Sequence, residues 1–357
     1  MANRERTLNN AGALIEVHDL VKHFPLRQAS MGRAGTVRAV EGVSFSVPRG
    51  ETVALVGESG SGKSTIGRLL LRLYEPTSGK VVFDGVDLGT LSRRGLSAFR
   101  RRMQMIFQDP FASLNPHMRI RTMLEEALRI HGIGANAGAR QERIEALLSL
   151  VGLPTAFADR YPHEFSGGQR QRLGIARALA VEPEFIVADE AISALDVSNQ
   201  AQIINVLLSL KAQHGLTLLF ISHNLAVVRN IADTVVVMYL GRVMEIAPAR
   251  MLFSSPGHPY TRALLSAVPI PDPERPVSRV MLRGDIPSPI NPPSGCVFRT
   301  RCHHAVDACA EARPPLLERV PGQSVACIRY EELRRGAQAP APPPAPQRES
   351  AIAGQGE

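Results

Sequence analysis

The sequence predicts an α/β protein. A parallel core sheet is built around a P-loop, an antiparallel β subdomain and a helical subdomain flank it, and a small cysteine-containing extension follows. Three observations carry this expectation. First, "ETVALVGESGSGKSTIGRLLLRLY" (51–74) places a short β-branched and apolar run, a glycine-rich turn and a helical segment in immediate succession. Second, "EFIVADE" (184–190) and "LTLLFISHN" (216–224) are apolar runs of strand length that end in polar residues. Third, "RTMLEEALRIHG" (121–132) and "RQERIEALLSLVGL" (140–153) carry apolar residues at helical spacing.

The chain, at 357 residues, is long enough for two domains and a substantial core. Its 44% apolar content suits a soluble globular protein. It contains no run of about 18 apolar residues, which argues against a membrane-spanning helix. The first residues, "MANRERTLNNAGALIEVHDL", lack a basic start followed by an apolar stretch, so no secretory signal is expected and the chain is placed in the cytosol. The net charge of +8 is mostly scattered, with its densest cluster at "LSRRGLSAFRRRMQ" (91–104). This reads as a solvated or membrane-proximal face. No aromatic-rich stacking platform accompanies it, which argues against nucleic acid as a partner.

In chain order, "LIEVHDLVKHF" (14–24), "VRAVEGVSFSV" (37–47) and "GKVVFDGVDL" (79–88) form the antiparallel region. Gly57, four intervening residues and Gly62-Lys63-Ser64 make the P-loop. Its glycines let backbone N–H groups curl toward phosphate. Lys63 adds positive charge at the β- and γ-phosphates, and Ser64 offers a hydroxyl to Mg²⁺. "RMQMIFQDP" (102–110) is a strand ending in Gln108, a neutral amide suited to binding or sensing the Mg²⁺ shell or a water. The helical insert spans about 110–172. The apolar strand before Asp189 and Glu190 would bury both carboxylates at cost unless a cation or water joins them. Asp189 is thus assigned to the Mg²⁺ shell and Glu190 to general-base activation of the attacking water. Ser222 and His223 end the next strand, and His223 is placed within reach of the γ-phosphate. "ADTVVVMYLGRVMEIA" (232–247) reads as a hairpin turning at Leu240-Gly241.

"FSGGQRQRLGIARALA" (165–180) holds a second anion site, a Ser166 N-cap with Gly167 and Gly168 opening a helix. The insert separates it from the P-loop. If one chain cannot fold it back, a second chain must supply it, burying two ATP molecules between two copies arranged head to tail.

These motifs, in this order, make the chain resemble the nucleotide-binding subunits of ABC transporters over residues 13–332. "GESGSGKST" (57–65) resembles Walker A, which assigns Glu58, Ser59, Gly60, Ser61 and Thr65 to the nucleotide with Gly57, Gly62, Lys63 and Ser64. "FIVADE" (185–190) resembles Walker B, and "FSGGQ" (165–169) the signature motif, with Phe165 where Leu is usual. Gln108 fits the Q-loop, "SALD" (193–196) the D-loop, and His223 the switch histidine. The resemblance implies that Ser166, Gly167, Gly168, Gln169 and Asp196 act in trans. It also makes Phe24 the candidate for stacking on adenine. Ala191 stands where Pro is usual, and Asn224 where Asp is usual; neither touches the reacting groups.

"FQDPFASLNPHM" (107–118), "YPHEFSGGQRQR" (161–172), "HPYTRALLSAVP" (258–269) and "PSPINPPSGCVFRTRC" (287–302) are similar to the dipeptide/oligopeptide importer ATPases, a group that also includes nickel importers. This implies an ABC ATPase domain over 13–250, a transporter-specific extension over 251–335 and a disordered Pro/Ala-rich tail over 336–357. It also implies two permease subunits, a second ATPase subunit (identical or a paralogue), an extracytoplasmic peptide-binding protein and a place on the cytoplasmic face of the membrane. The surface offered to the permease is expected just after Gln108, at Phe111, Leu114 and Asn115. ATP-driven ribosome or DNA factors of the same class usually carry two cassettes or a long coiled coil, and this chain shows neither. A P-loop kinase would leave Ser166 and His223 unexplained.

The four cysteines, Cys296, Cys302, Cys309 and Cys327, are separated by five, six and seventeen residues. Disulfides are not expected in the cytosol. The residues alone leave an iron–sulfur cluster, Zn²⁺ and plain thiols open, although zinc favours C-x₂₋₄-C pairs and none is present. The family resemblance implies a [4Fe–4S] cluster.

Overall fold

The computed structural model describes residues 12–26, 35–109, 114–192, 197–268, 280, 282 and 284–338. Its core is a run of five strands, all parallel, in the order β9 (Thr234–Tyr239), β3 (Thr52–Val56), β8 (Thr217–Ser222), β7 (Phe185–Asp189) and β6 (Met103–Ile106). Strands β3, β7 and β8 are buried at every position, and their sequences are near-continuous apolar runs because both faces are covered. Alternate residues feed two cores. Ala54, Val56, Ile186, Ala188, Leu218 and Phe220 pack on the side of the helical subdomain. Val53, Leu55, Phe185, Val187, Leu219 and Ile221 pack against the small sheet and the P-loop helix.

That small sheet is antiparallel, in the order β2 (Thr36–Pro48), β1 (Ala13–Pro25), β4 (Ser78–Phe83) and β5 (Val86–Asp87). The helices are α1 (Lys63–Leu70), α2 (Arg93–Arg102), α3 (Ile120–Ile130), α4 (Ala137–Leu150), α5 (Gly167–Leu179), α6 (Val197–His214), α7 (Leu225–Ile231), α8 (Ala249–Ser254), α9 (Pro259–Ser266), α10 (Ala308–Glu311) and α11 (Tyr330–Gln338). Helices α3, α4 and α5 build the insert. Ile120, Met123, Leu124 and Leu128 of α3 meet Ile144, Leu147 and Leu148 of α4 at the three-and-four spacing that lines one helix face. Leu114 is buried in this core, so of the three residues expected to face a permease it is withdrawn from the surface. Asn115 is exposed; Phe111 lies outside the described residues.

The hairpin at Leu240-Gly241 forms between β9 and β10 (Arg242–Pro248), with both turn residues left-handed at φ 49° and 76°. The extension, expected over 251–335, is built into the core sheet. Its strands β12 (Gln323–Val325) and β11 (Leu317–Val320) pair onto β10 and continue the core sheet to eight strands. Glu245 of β10 explains why the join holds. Its fully buried carboxylate accepts from the Gly257 N–H at 2.8 Å, the His258 N–H at 2.9 Å and Gln323 Nε2 at 2.7 Å. A buried charge survives folding only when such donors surround it. Helix α11 runs to Gln338, past residue 336 where the tail was expected to begin.

Glu245→Ala removes a buried acceptor shared by three donors where the extension meets the sheet, leaving the Gly257 and His258 N–H groups unpaired. It is expected to cost about 3 kcal/mol or more, and limited proteolysis should release the extension before the core is cut.

Candidate nucleotide site

The P-loop follows β3 and curls back over the sheet's carboxyl edge. Gly57 has φ 150° and Gly62 has φ 101°. A Cβ at Gly57 would collide with the Met238 carbonyl oxygen, and one at Gly62 with that of Ala39. Only glycine lets the loop lie this close to β9 and β2. Lys63 Nζ donates to the carbonyls of Gly57 and Glu58 at 2.8 and 2.9 Å and to Ser61 Oγ at 3.3 Å. Burial pushes the Lys63 ammonium below its ordinary range, opposed by the carboxylates of Glu190, Asp189 and Glu58. Of the remaining loop residues, Ser61 is buried, Ser64 and Thr65 are half-buried, and Ser59 and Gly60 are exposed.

Three strand ends meet this loop. Ser64 Oγ donates to Asp189 Oδ1 at 2.7 Å, across 125 residues of sequence. Asp189 is buried, and desolvation raises its carboxyl above the usual range, against the pull of the Ser64 hydrogen bond. Gln108 Nε2 donates to Glu190 Oε2 at 2.7 Å, and His223 Nδ1 lies 3.3 Å from Glu190 Oε1. Glu190 itself is left-handed, with φ 45°, and its N–H donates to the Ile221 carbonyl of β8 at 3.0 Å. Such a conformation in a side-chain-bearing residue stores strain, which the strand pairing holds in place. Asn224, the departure from Asp, caps α7 by accepting from the N–H groups of Ala226 and Val227 at 3.1 and 3.4 Å.

Phe24 is half-buried on β1 and pairs with Val37 of β2, two residues before the Ala39 that crosses Gly62. Its ring meets Tyr74 edge-on at 5.5 Å.

Ser166 caps α5 in a reciprocal box: its Oγ accepts from the Gln169 N–H at 3.4 Å, and Gln169 Oε1 accepts from the Ser166 N–H at 3.1 Å. Phe165 is buried and meets Phe157 edge-on, so it anchors the helix start in the insert's core. Ser166 and Gly167 face solvent, and Gly168 is half-buried. Among the described residues, the side-chain bonds of Ser166 and Gln169 stay within the helix start. Asp196 lies outside the described residues.

Three residues that sequence reasoning missed join these parts. Gln171 of α5 is buried and donates to the carbonyl of Phe107, the neighbour of Gln108, at 3.4 Å. Tyr260 accepts from the Glu58 N–H at 2.9 Å, and Arg301 grips the Glu58 carboxylate. Their separations of 202 and 243 residues leave no local signal.

The four cysteines carry free thiols and line a single cavity beneath α9, with His258, His304 and Arg329 in its wall. Burial raises Cys296 to about 11, and burial likewise raises Cys302 and Cys327, each helped by neighbouring thiols. Among the described residues, no three His, Cys, Asp or Glu side chains stand in a ready-made metal-binding arrangement. No described helix is long and apolar enough to cross a membrane.

Residues 40–193 match the ABC transporter family, and residues 244–309 match the oligopeptide/dipeptide transporter C-terminal region. A putative peptide import ATP-binding protein of Brucella ovis is 60% identical over 316 residues, covering 88% of this chain and 98% of that one. The chain belongs to the ATP-binding subunits of ABC transporters, in the oligopeptide/dipeptide group. Within that group this ATP-binding subunit is also 51% identical over 328 residues to the Bacillus subtilis oligopeptide transport ATP-binding protein AppF, covering 91% of this chain and 99% of that one. Its cassette superposes on the ATP-binding cassette MJ0796 in a post-hydrolysis dimer bound to ADP and Pi. The TM-score is 0.60 at 28% identity, over 66% of this chain and 99% of that one.

Gly62→Ala is expected to weaken nucleotide binding by about tenfold or more, read by titration with a fluorescent ATP analogue. Gln171→Leu is expected to leave that affinity near wild type while lowering transport-coupled turnover, because it detaches α5 from the Gln108 segment.

Proposed function

We propose that this subunit binds and hydrolyses ATP between two cassettes to drive uptake of dipeptides or oligopeptides. One observation carries the reading: Lys63, the Ser64–Asp189 bond and the Gln108–Glu190–His223 group converge at one edge of the parallel sheet, while the capped Ser166 helix start faces solvent. Ligands of open parallel sheets gather at that edge. Phe24 stacks on the adenine, and residues 57–65 cradle the phosphates. Ser64, Asp189 and Gln108 would hold Mg²⁺, which would supply charge neutralisation at the phosphates. The raised Asp189 carboxyl fits a site that a cation completes. Glu190 takes the proton of the attacking water as its oxygen bonds the γ-phosphorus. The bond to the β–γ bridging oxygen breaks, releasing ADP and phosphate. His223 steadies Glu190 and the γ-phosphate. Gln108, through Phe107 and Gln171, reports occupancy to the insert.

The missing face of the nucleotide comes from Ser166, Gly167, Gly168, Gln169 and Asp196 of a second cassette, identical or paralogous. The helix start offers N–H groups and a positive dipole end to the γ-phosphate. Loss of that phosphate opens the pair and moves the insert, with the permease it grips. The working assembly adds two permeases and an extracytoplasmic peptide-binding protein, with this subunit on the cytoplasmic face of the membrane. The names of the relatives support peptide cargo.

The cysteine cavity fits a [4Fe–4S] cluster in donor chemistry: four thiols line it, with Arg299 and Arg329 beside them suited to an anionic cluster. Cys296, Cys302, Cys309 and Cys327 would hold it, and the bound iron would draw the raised thiols into the thiolate form. Anaerobically purified protein should then be brown and contain iron and sulfide; zinc in their place would identify the other four-thiolate site.

Lys63→Ala is expected to lose nucleotide binding. Glu190→Gln is expected to retain binding, lose turnover and accumulate an ATP-bound dimer on size-exclusion chromatography. Ser166→Arg should abolish both that dimer and hydrolysis; full turnover by a dilute Ser166→Arg monomer would refute the shared site. Uptake of labelled dipeptide by the assembled transporter, against labelled nickel, tests the cargo.

A further inference from the structure

The C-terminal extension reaches the nucleotide loop through two side chains, Tyr260 and Arg301. Arg301 lies in a short 3-10 turn (Arg299–Arg301) and is 8% exposed. Its guanidinium forks the Glu58 carboxylate, Nη1 to Oε2 at 2.6 Å and Nη2 to Oε1 at 3.1 Å, and Nη1 also reaches the Tyr239 hydroxyl at 3.4 Å. Glu58 directly follows Gly57 at the start of the P-loop. Tyr260, also from the extension, accepts its N–H, while its carbonyl accepts from Lys63 Nζ and from the Ser61 N–H. Residue 58 is therefore held by the extension on one side and by the phosphate-binding lysine on the other. Tyr239, Tyr260 and Phe298 pack ring to ring at 4.8 to 5.3 Å behind this contact and keep it in register.

The charge matters as much as the position. The Glu58 carboxylate is close enough to act on Lys63, so it also acts on any triphosphate that Lys63 binds. Unpaired, it repels that ligand. Forked by a buried guanidinium, it presents a neutral pair. We propose that Arg301 is a positioning residue of the nucleotide site, fixing the P-loop at Glu58 and cancelling a carboxylate that would otherwise oppose ATP. The extension is thereby a working part of the ATP site. Arg301 is also the chain neighbour of Cys302, which lines the cysteine cavity.

This rests on the reading that the P-loop binds nucleotide, and the controls separate the two. Mg-ATP affinity is measured on the full chain by fluorescent-analogue competition, with thermal unfolding in parallel. Arg301→Ala is expected to raise Kd roughly tenfold. Adding Glu58→Gln in the same chain is expected to bring Kd back to within about threefold of wild type, because it removes the uncompensated charge. If Arg301→Ala fails to fold, Arg301→Lys takes its place: it keeps the charge but not the fork, and Kd is expected to rise by a smaller factor. Unchanged affinity in Arg301→Ala, or in Arg301→Lys where that stands in, overturns the proposal. So does a double variant as weak as the single, which would reduce Arg301 to holding the extension in place. Normal binding by Lys63→Ala would instead remove the P-loop reading itself.

Discussion

The hydrogen bond from Ser64 to Asp189 ties the first turn of α1 to the end of β7, and the rest of the site is arranged around it. Both partners sit where five parallel strands, with apolar side chains on both faces, come to their carboxyl ends. A sheet covered on both faces has nowhere else to place polar groups without unpaired burial. Asp189 therefore stands desolvated, with its carboxyl raised, beside a lysine whose ammonium is lowered for the same reason. Burial works against the charged form of each, and a divalent cation and a polyanion bound there would favour both charged forms. Glu190 adds to this with a strained, left-handed backbone, from which its carboxylate meets both Gln108 and His223.

The Ser166 helix start is built as firmly as the P-loop, through a capping box and the buried Phe165, yet it opens to solvent. A preorganised anion site facing water is what a neighbouring cassette would use. Gln171 makes the link within the chain, since it joins the signature helix to the strand end that carries Gln108. The insert is thereby tied directly to the segment that carries Gln108.

The extension changes how the molecule divides. Continuation of the sheet through β12 and β11, the buried Glu245 hub and the Arg301–Glu58 fork make residues beyond 250 part of the cassette's own structure. Residues beyond 250 are attached directly to the P-loop.

The sequence by itself determined the parallel core, the P-loop, the Asp189-Glu190 strand end, the Ser166 cap and the 240–241 turn. Each is a local pattern whose backbone chemistry allows few alternatives: glycine at positive φ, a serine before a helix, an apolar run closing on carboxylates. What only the tertiary structure decided depends on contacts between distant segments. Leu114 is core rather than surface because α3 to α5 close over it, and the extension joins the sheet because Glu245 meets donors from the 257–258 segment and from Gln323 of β12. Tyr260 and Arg301 bear on the P-loop from 202 and 243 residues away, where neither residue type nor spacing announces a partner. Periodicity and spacing record what a residue does to its neighbours in the chain; burial and long-range pairing exist only once the chain has closed on itself.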